Sequence, residues 1–325
     1  MRVLSLSDEG NRVEYDMKKI VVVGSLNADF VVCTSALPRE GQTVLGHSFD
    51  IFPGGKGANQ SAALARLGAH VTHIGKVGMD DHARLLNGSL ERAGVHLLSG
   101  LTEDDSTHTG IANIQIADNG SNTIVVIPGA NMRLLPSDLD PFIPLLKQAD
   151  YIAIQNEIPM ETNFRAAHIG REAGATVIYN PAPYRNGSDQ ICRLADLIVP
   201  NETELSELTG LPVATDQEIE LAARRLLETG NAKAVIVTLG ARGCMIQERK
   251  SAEFFPAVTV KAIDTTAAGD AFIAGMIWSL SEGNDLKTSV KLANEVAGYA
   301  VTILGAQSSL PTREEFEQFR AQLKR

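Results

Sequence analysis

The stretch best suited to chemistry is Asp264-Thr265-Thr266-Ala267-Ala268-Gly269-Asp270, which opens an apolar helical run from Ala271 to Leu280. Small residues at a helix start leave N–H groups without intrahelical partners, and these make an anion site. Asp270 falls in the first turn, where a carboxylate is favoured on structural grounds alone. Beside an anion hole, however, it has the position of a general base. It could take a hydroxyl proton while the hole holds charge developing on a transferred phosphoryl group. A second stretch is Gly54-Gly55-Lys56-Gly57-Ala58-Asn59. Glycines at a helix start expose backbone amides and let a ligand approach closely. It is not a Walker A loop, because Gly57 stands where Ser or Thr is required. Its plain alternative is a tight turn into the helix, but a central Lys and a following Asn favour binding.

Two further stretches are more evenly balanced. Gly24-Ser25-Leu26-Asn27-Ala28-Asp29 follows a strand-like run. Ligands of open α/β sheets sit at the carboxyl ends of strands, and Asn27 and Asp29 offer donors and acceptors for hydroxyl groups. Asn and Asp are equally common in plain turns. In Pro200-Asn201-Glu202-Thr203-Glu204, Asn201 and Glu204 have the spacing of a capping box. The other reading has both facing a hydrated divalent metal at a strand end.

These stretches need a scaffold, and the hydrophobic pattern supplies one. Residues 20–24 read as a buried strand, 56–67 as a helix stopped by Gly68, 71–74 as a strand and 81–93 as a helix. Strand and helix alternate again through 151–154, 161–173, 176–179, 190–194, 197–199, 202–209, 216–229 and 234–239. Helices follow at about 268–281, 287–303 and 312–323. Such βα repeats predict a parallel sheet covered by helices on both faces. Two turn-rich, extended excursions break the rhythm, about 30–52 and 106–128, the second holding the hairpin dipeptide Asn119-Gly120 between strands at 111–117 and 123–127. Both are read as a small β lid. Residues 1–18 show no period and are read as a flexible N-terminal extension to a domain over 19–325.

Composition narrows the classes. The 325 residues are 44% hydrophobic and 21% charged, a globular balance. The net charge of −10 disfavours non-specific binding to nucleic acid or anionic membrane, so neither partner is expected. No apolar run is long enough to span a bilayer, and the N-terminus lacks the apolar core of a signal peptide. Cys33, Cys192 and Cys244 form no CxxC and no zinc pattern, which points to free thiols in the cytoplasm. The seven histidines make no HExxH; His70 and His73 lie on a predicted strand and read as structural, as Trp278 does in the core. There is no GxSxG, no protein-kinase HRD or DFG set, and no GxGxxG after the first strand.

In this order the stretches resemble the ribokinase family of carbohydrate and nucleoside kinases, the PfkB-type sugar kinases. The resemblance runs from about Ile20 to Pro311. Its most specific parts are Gly54 to Gln60 and Asp264 to Asp270, supported by Pro200 to Glu204, Thr238-Leu239-Gly240-Ala241-Arg242-Gly243 and Gly305-Ala306-Gln307. It implies a ribokinase-like α/β fold with a central, mostly parallel sheet, helices on both faces and a β-sheet lid that also pairs two subunits as a homodimer. It implies that Asn27, Asp29 and the segment Gly55, Lys56, Gly57, Ala58 and Asn59 bind the sugar, with Glu157. Asn201 and Thr238 to Gly243 would contact ATP, with Asn294 beside the adenosine. Glu204 would help hold Mg²⁺ through water. Ala268, Gly269 and Asp270 would present the anion-hole amides, with Asp270 as base. A K⁺ site would comprise Asp264, Thr266, Ala300, Ile303, Gly305 and Ser309. The implied reaction is ATP-dependent phosphorylation of D-ribose at O-5, giving D-ribose 5-phosphate and ADP.

The resemblance departs at Gly78-Met79-Asp80-Asp81-His82-Ala83, where Ala83 replaces a family glycine. Rival readings are a kinase for 2-deoxyribose, fructose, a ketosugar acid or a nucleoside; a non-catalytic sugar sensor of the same fold; and a nicotinamide-dependent dehydrogenase. Intact Gly269 and Asp270 weigh against the sensor, and the missing dinucleotide fingerprint weighs against the dehydrogenase.

Overall fold

The fold grows from the run Lys-Ile-Val-Val-Val of strand Lys19–Val23, in which Ile20 to Val23 are all buried. A strand buried on both faces needs a continuous apolar run rather than an alternating one. Ile20 and Val22 pack into one hydrophobic cluster and Val21 and Val23 into another, so the period of two feeds a core on each side of the sheet. A computed structural model provides the coordinates and describes residues 2–6, 12–97 and 102–323.

The main sheet has eight strands in the order Ala252–Phe255, Cys244–Glu248, Ala234–Thr238, Leu197–Ile198, Thr176–Asn180, Tyr151–Gln155, Lys19–Val23 and His70–Ile74. The last six of these run parallel. Helices Lys56–Arg66, Ala268–Ser281 and Leu286–Ala300 cover one face; Met160–Ala173 and Asp216–Glu228 cover the other. From Lys19–Val23 the chain steps outward to His70–Ile74 and later returns on the opposite side with Tyr151–Gln155. That reversal is a topological switch point, and it opens a crevice at the carboxyl ends of the two central strands.

The expected helices and parallel strands are present within a few residues. The strands Cys244–Glu248 and Ala252–Phe255 were not expected: they add an antiparallel edge to the parallel sheet. The lid is a separate sheet ordered Asn122–Ile127, Gly110–Ala117, Asn27–Thr34, Gly46–Gly54. It reaches further than the excursions 30–52 and 106–128, because the ladder continues to the pairs Asn27 with Gly54 and Asn27 with Gly110. Asn27 and Asp29 are therefore lid residues as well as site candidates. Strands Arg2–Leu6 and Arg12–Asp16 pair with each other in a sheet of their own. Residues 1 and 7–11 of the proposed extension lie outside the described residues. Ala83 is harmless, since it sits in the regular helix Asp81–Ala93 and donates its N–H to the Asp80 cap at 2.9 Å. His73 is structural, bonded to Ser61 Oγ through Nδ1 at 2.8 Å, and Trp278 is buried.

Candidate active site

Two sequence-distant helix starts meet at the crevice. Helix Lys56–Arg66 begins after Gly55, whose φ of 90° an L side chain rarely adopts. Gly57 lies so close to the first central strand that a Cβ there would stand 2.7 Å from backbone atoms of Gly24 and Ser25. That approach lets Ala58 donate its N–H to the Ser25 carbonyl at 2.9 Å. Helix Ala268–Ser281 begins after Ala267, a non-glycine residue held at φ 60°. Its Asp270 is buried, with Oδ2 accepting from Asn59 Nδ2 at 3.0 Å and Oδ1 from Gln60 Nε2 at 3.1 Å.

The expected anion hole needs one correction. The Ala268 N–H turns back to the Thr265 carbonyl at 3.2 Å, so it is already used. The amides left over at this start are those of Gly269 and Asp270. Both residues line the cleft, and a Cβ on Gly269 would meet nothing within 4 Å.

Asp270 stands on the wall of a cleft of about 240 Å³ whose other walls include Lys56, Asn201, Glu204, Thr238 and Gly269. A neighbouring cavity of about 290 Å³ under the lid is lined by Asn27, Asn131, Asn156, Glu157 and Arg185. Glu157 fixes the floor between them: its Oε2 accepts from Ser25 Oγ at 2.5 Å and from the Lys56 N–H at 3.1 Å. Asn27 is aimed by Asn131, whose Nδ2 donates to Asn27 Oδ1 at 2.8 Å while its Oδ1 accepts from Leu26 N at 2.9 Å.

The charges are crowded and dry. Burial pushes the Asp29 carboxyl up to about 7, with Glu157 and Asp270 adding to the rise. Near neutral pH it can therefore accept from a hydroxyl or donate to one. Burial also raises Asp270, opposed by Lys56 and by the Asn59 and Gln60 hydrogen bonds. Burial works against the Lys56 charge, but Asp270, Glu157 and Glu204 outweigh it and hold its pKa above the ordinary value. Glu204 is raised by burial, against the pull of the Asn201 N–H and Lys56.

The nucleotide-side candidates divide. Asn201 and Glu204 do form the capping box: Asn201 Oδ1 accepts from Glu204 N and Glu204 Oε2 from Asn201 N, both at 2.9 Å. Both residues also line the cleft, so the two readings coexist. In the turn after Thr238, Leu239 points into the core, and Arg242 is held by Glu202 at 2.7 Å and Asp216 at 2.6 Å. Gly240, Ala241 and Gly243 form the rest of that turn. Asn294 does not line the cleft; it is buried and donates to the Phe255 and Pro256 carbonyls. Asp264 ties two loops together: Oδ1 accepts from Thr266 N at 2.9 Å and Oδ2 from Gly305 N at 2.8 Å.

Comparison with known proteins decides the family. Residues 17–313 match the pfkB family of carbohydrate kinases. The chain belongs to this family. The kinase is 36% identical to a ribokinase of Haemophilus influenzae over 310 residues, covering 93% of this chain and 98% of the relative. It is 38% identical to a deoxyribokinase of Salmonella typhi over 302 residues, covering 92% and 98%. A structure of Arabidopsis thaliana ribokinase complexed with ribose and ATP superposes with a TM-score of 0.85 at 32% identity, covering 95% of the kinase and 99% of that chain.

Sequence reasoning missed Asn131, Asn156 and Arg185. Asn131 lies in a 3-10 segment, Gly129–Arg133, with no periodicity to flag it.

Proposed function

We propose that the chain phosphorylates D-ribose at O-5 with ATP, giving D-ribose 5-phosphate and ADP. One observation carries the reading: Asp270 is a buried carboxylate beside the free amides of its own helix start, close to the lid cavity with its hydroxyl-binding groups. The ribokinase relatives support ribose as acceptor and ATP as donor. In this reading Asn27, Asp29, Asn59 and the Gly55 to Ala58 backbone hold the sugar. Asp270 accepts the O-5 proton as that oxygen attacks the γ-phosphorus and ADP leaves. The Gly269 and Asp270 amides stabilise the charge spread over the phosphoryl oxygens, and Lys56 balances it from the cleft wall. The lid excludes water from the bound sugar.

Glu204 suits Mg²⁺: it faces the cleft, and a divalent ion that keeps its waters needs few protein carboxylates. Among the described residues no group of three or more His, Cys, Asp and Glu side chains gathers to cage a metal. When bound, Mg²⁺ supplies charge neutralisation at the phosphates. Asp264 suits K⁺, since Oδ2 accepts a single N–H and keeps a lone pair, and the neighbouring positions Thr266, Ala300, Ile303, Gly305 and Ser309 offer neutral oxygens. K⁺ supplies no chemistry of its own; it would brace the loop ahead of Gly269. We expect K⁺ to raise kcat well above the rate in Na⁺ or tetramethylammonium at equal ionic strength. Asp264→Ala should lose that response, and some basal rate with it, because it also cuts the loop tie. Equal rates in the three salts, or a response that survives Asp264→Ala, would remove the site.

The sugar is tested by ADP release over ribose, 2-deoxyribose, fructose, adenosine and uridine. A site built to bond a hydroxyl rejects the analogue lacking it, because its buried polar groups go unpaired. Ribose should exceed 2-deoxyribose in kcat/KM by roughly tenfold or more. A preference for deoxyribose would overturn ribose and leave the kinase intact.

The lid exposes apolar side chains on both faces, Ile124 and Val126 on the face that carries Asn27 and Phe49 and Val125 on the other, and such surface is suited to pairing with a second copy, which supports a homodimer. The three free cysteines fit a cytoplasmic location. No helix among the described residues is long and apolar enough to cross a membrane.

A further inference from the structure

Behind Asp270 stand two buried side-chain amides that line neither cavity. Gln155 closes the strand Tyr151–Gln155, and Gln60 lies one turn into the helix Lys56–Arg66. Both are fully buried. Gln155 Nε2 donates to Gln60 Oε1 at 2.6 Å, and Gln60 Nε2 donates to Asp270 Oδ1 at 3.1 Å. Gln60 thus accepts from Gln155 behind it and donates forward to Asp270, so the two amide dipoles line up toward the carboxylate.

The arrangement has a cost that packing alone would not incur. Gln155 Oε1 is buried without a hydrogen-bond partner. It lies against Gly24, where a Cβ would come within 2.2 Å of it. An unpaired buried acceptor is destabilising, and apolar residues at both 155 and 60 would avoid it. The strand end gives up stability to keep a donor directed at Gln60.

We propose that Gln155 and Gln60 are positioning residues that act as a relay, holding the Asp270 carboxylate ionised and aiming it at the acceptor hydroxyl. This rests on the reading of Asp270 as the base. The charged groups facing Asp270 are Lys56 on the helix of Gln60, Asp29 on the lid, Glu157 after the Gln155 strand and Glu204 on helix Glu202–Thr209. Exchanging the amides leaves all four in place.

The test uses the full-length kinase and whichever sugar gives the fastest ADP release. Gln155→Met, Gln60→Met and the double variant are compared for kcat, KM and the acid limb of kcat, with melting temperature as a control. Losing the Gln60 hydrogen bond to the charged carboxylate should lower kcat roughly tenfold or more, and losing the neutral Gln155–Gln60 bond should lower it by a smaller, measurable factor. Sugar KM should stay within about threefold, since Gln155 and Gln60 do not touch substrate. The acid limb should move to higher pH, because Asp270 loses a donor that favours its ionised form. The double variant should be no worse than Gln60→Met, as Gln155 acts only through Gln60. If Gln155→Met does not fold, Gln155→Leu removes the same donor and should also move the limb upward. An unmoved limb with unchanged kcat in a folded variant would overturn the relay, as would losses that multiply in the double variant. If Asp270→Asn itself keeps turnover, the base assignment fails first.

Discussion

Asp270→Asn should lose turnover by ~10²–10⁴-fold, the usual worth of a general base. The amide keeps the shape of the side chain and cannot take the hydroxyl proton. Binding of sugar and ATP should stay within several-fold, because the Gly269 amide, Asn27 and Glu157 are untouched. Asn59 and Gln60 now donate to Asp270 at 3.0 and 3.1 Å, and one of them would face an NH₂ group instead. Some loss of stability is therefore expected, and a denaturant midpoint separates it from the catalytic loss. A variant that turned over at near the native rate would show that the proton goes elsewhere.

Gly57→Ala should be the most damaging single methyl group in the site. Its Cβ would lie 2.7 Å from three backbone atoms of Gly24 and Ser25, and backbone cannot swing aside as a side-chain tip can. The helix start must move off the central strand, carrying Asn59 and Gln60 away from Asp270. Overpacking of this kind costs ~1–3 kcal/mol. A misplacement of about 1 Å at the chemistry can cost ~10²-fold in kcat/KM. Gly88→Ala is the matched control: it sits inside helix Asp81–Ala93 and would meet only the end of the Arg92 side chain, at 3.1 Å. It should leave the denaturant midpoint unchanged or raise it. Equal midpoints and equal kcat/KM for Gly57→Ala and Gly88→Ala would refute the close-approach argument.

The elements that carry the site were legible where the chain marks its own boundaries. Helix Asp81–Ala93 is announced by the Asp80 cap and stopped by Gly94 at φ 89°. The lid hairpin is announced by Asn119-Gly120, with Gly120 at φ 84°. The edge strands Cys244–Glu248 and Ala252–Phe255 were not legible, because their connection through Arg249, Lys250 and Ser251 holds no glycine, asparagine or aspartate. Site residues followed the same rule. Asp270 and Gly57 stand in dense local motifs and could be picked out. Asn131 aims Asn27 from 104 residues away, and no local pattern encodes a contact of that separation. Asn294 was carried over from a family resemblance, and its amide is occupied by the carbonyls of Phe255 and Pro256. Gln155 did leave a trace, as a polar residue closing the apolar strand Tyr151–Gln155.

In the proposed reading the order of the chain keeps most of two recognition tasks apart. Asn27, Asp29, the Gly54 to Asn59 stretch, Asn131 and Glu157 come from its first half, and Asn201, Glu204, Thr238 and Gly269 from its second. Among the places where the halves meet is the central carboxylate, where Asn59 and Gln60 reach across to Asp270. If the proposed roles hold, a gene lineage could redraw its acceptor by substitutions in the lid while inheriting the phosphate-side residues unaltered. Recombination that swaps the two halves between relatives must also preserve the other crossings, among them Arg185 at the lid cavity, Lys56 at the cleft and the packing of helix Lys56–Arg66 on helix Ala268–Ser281.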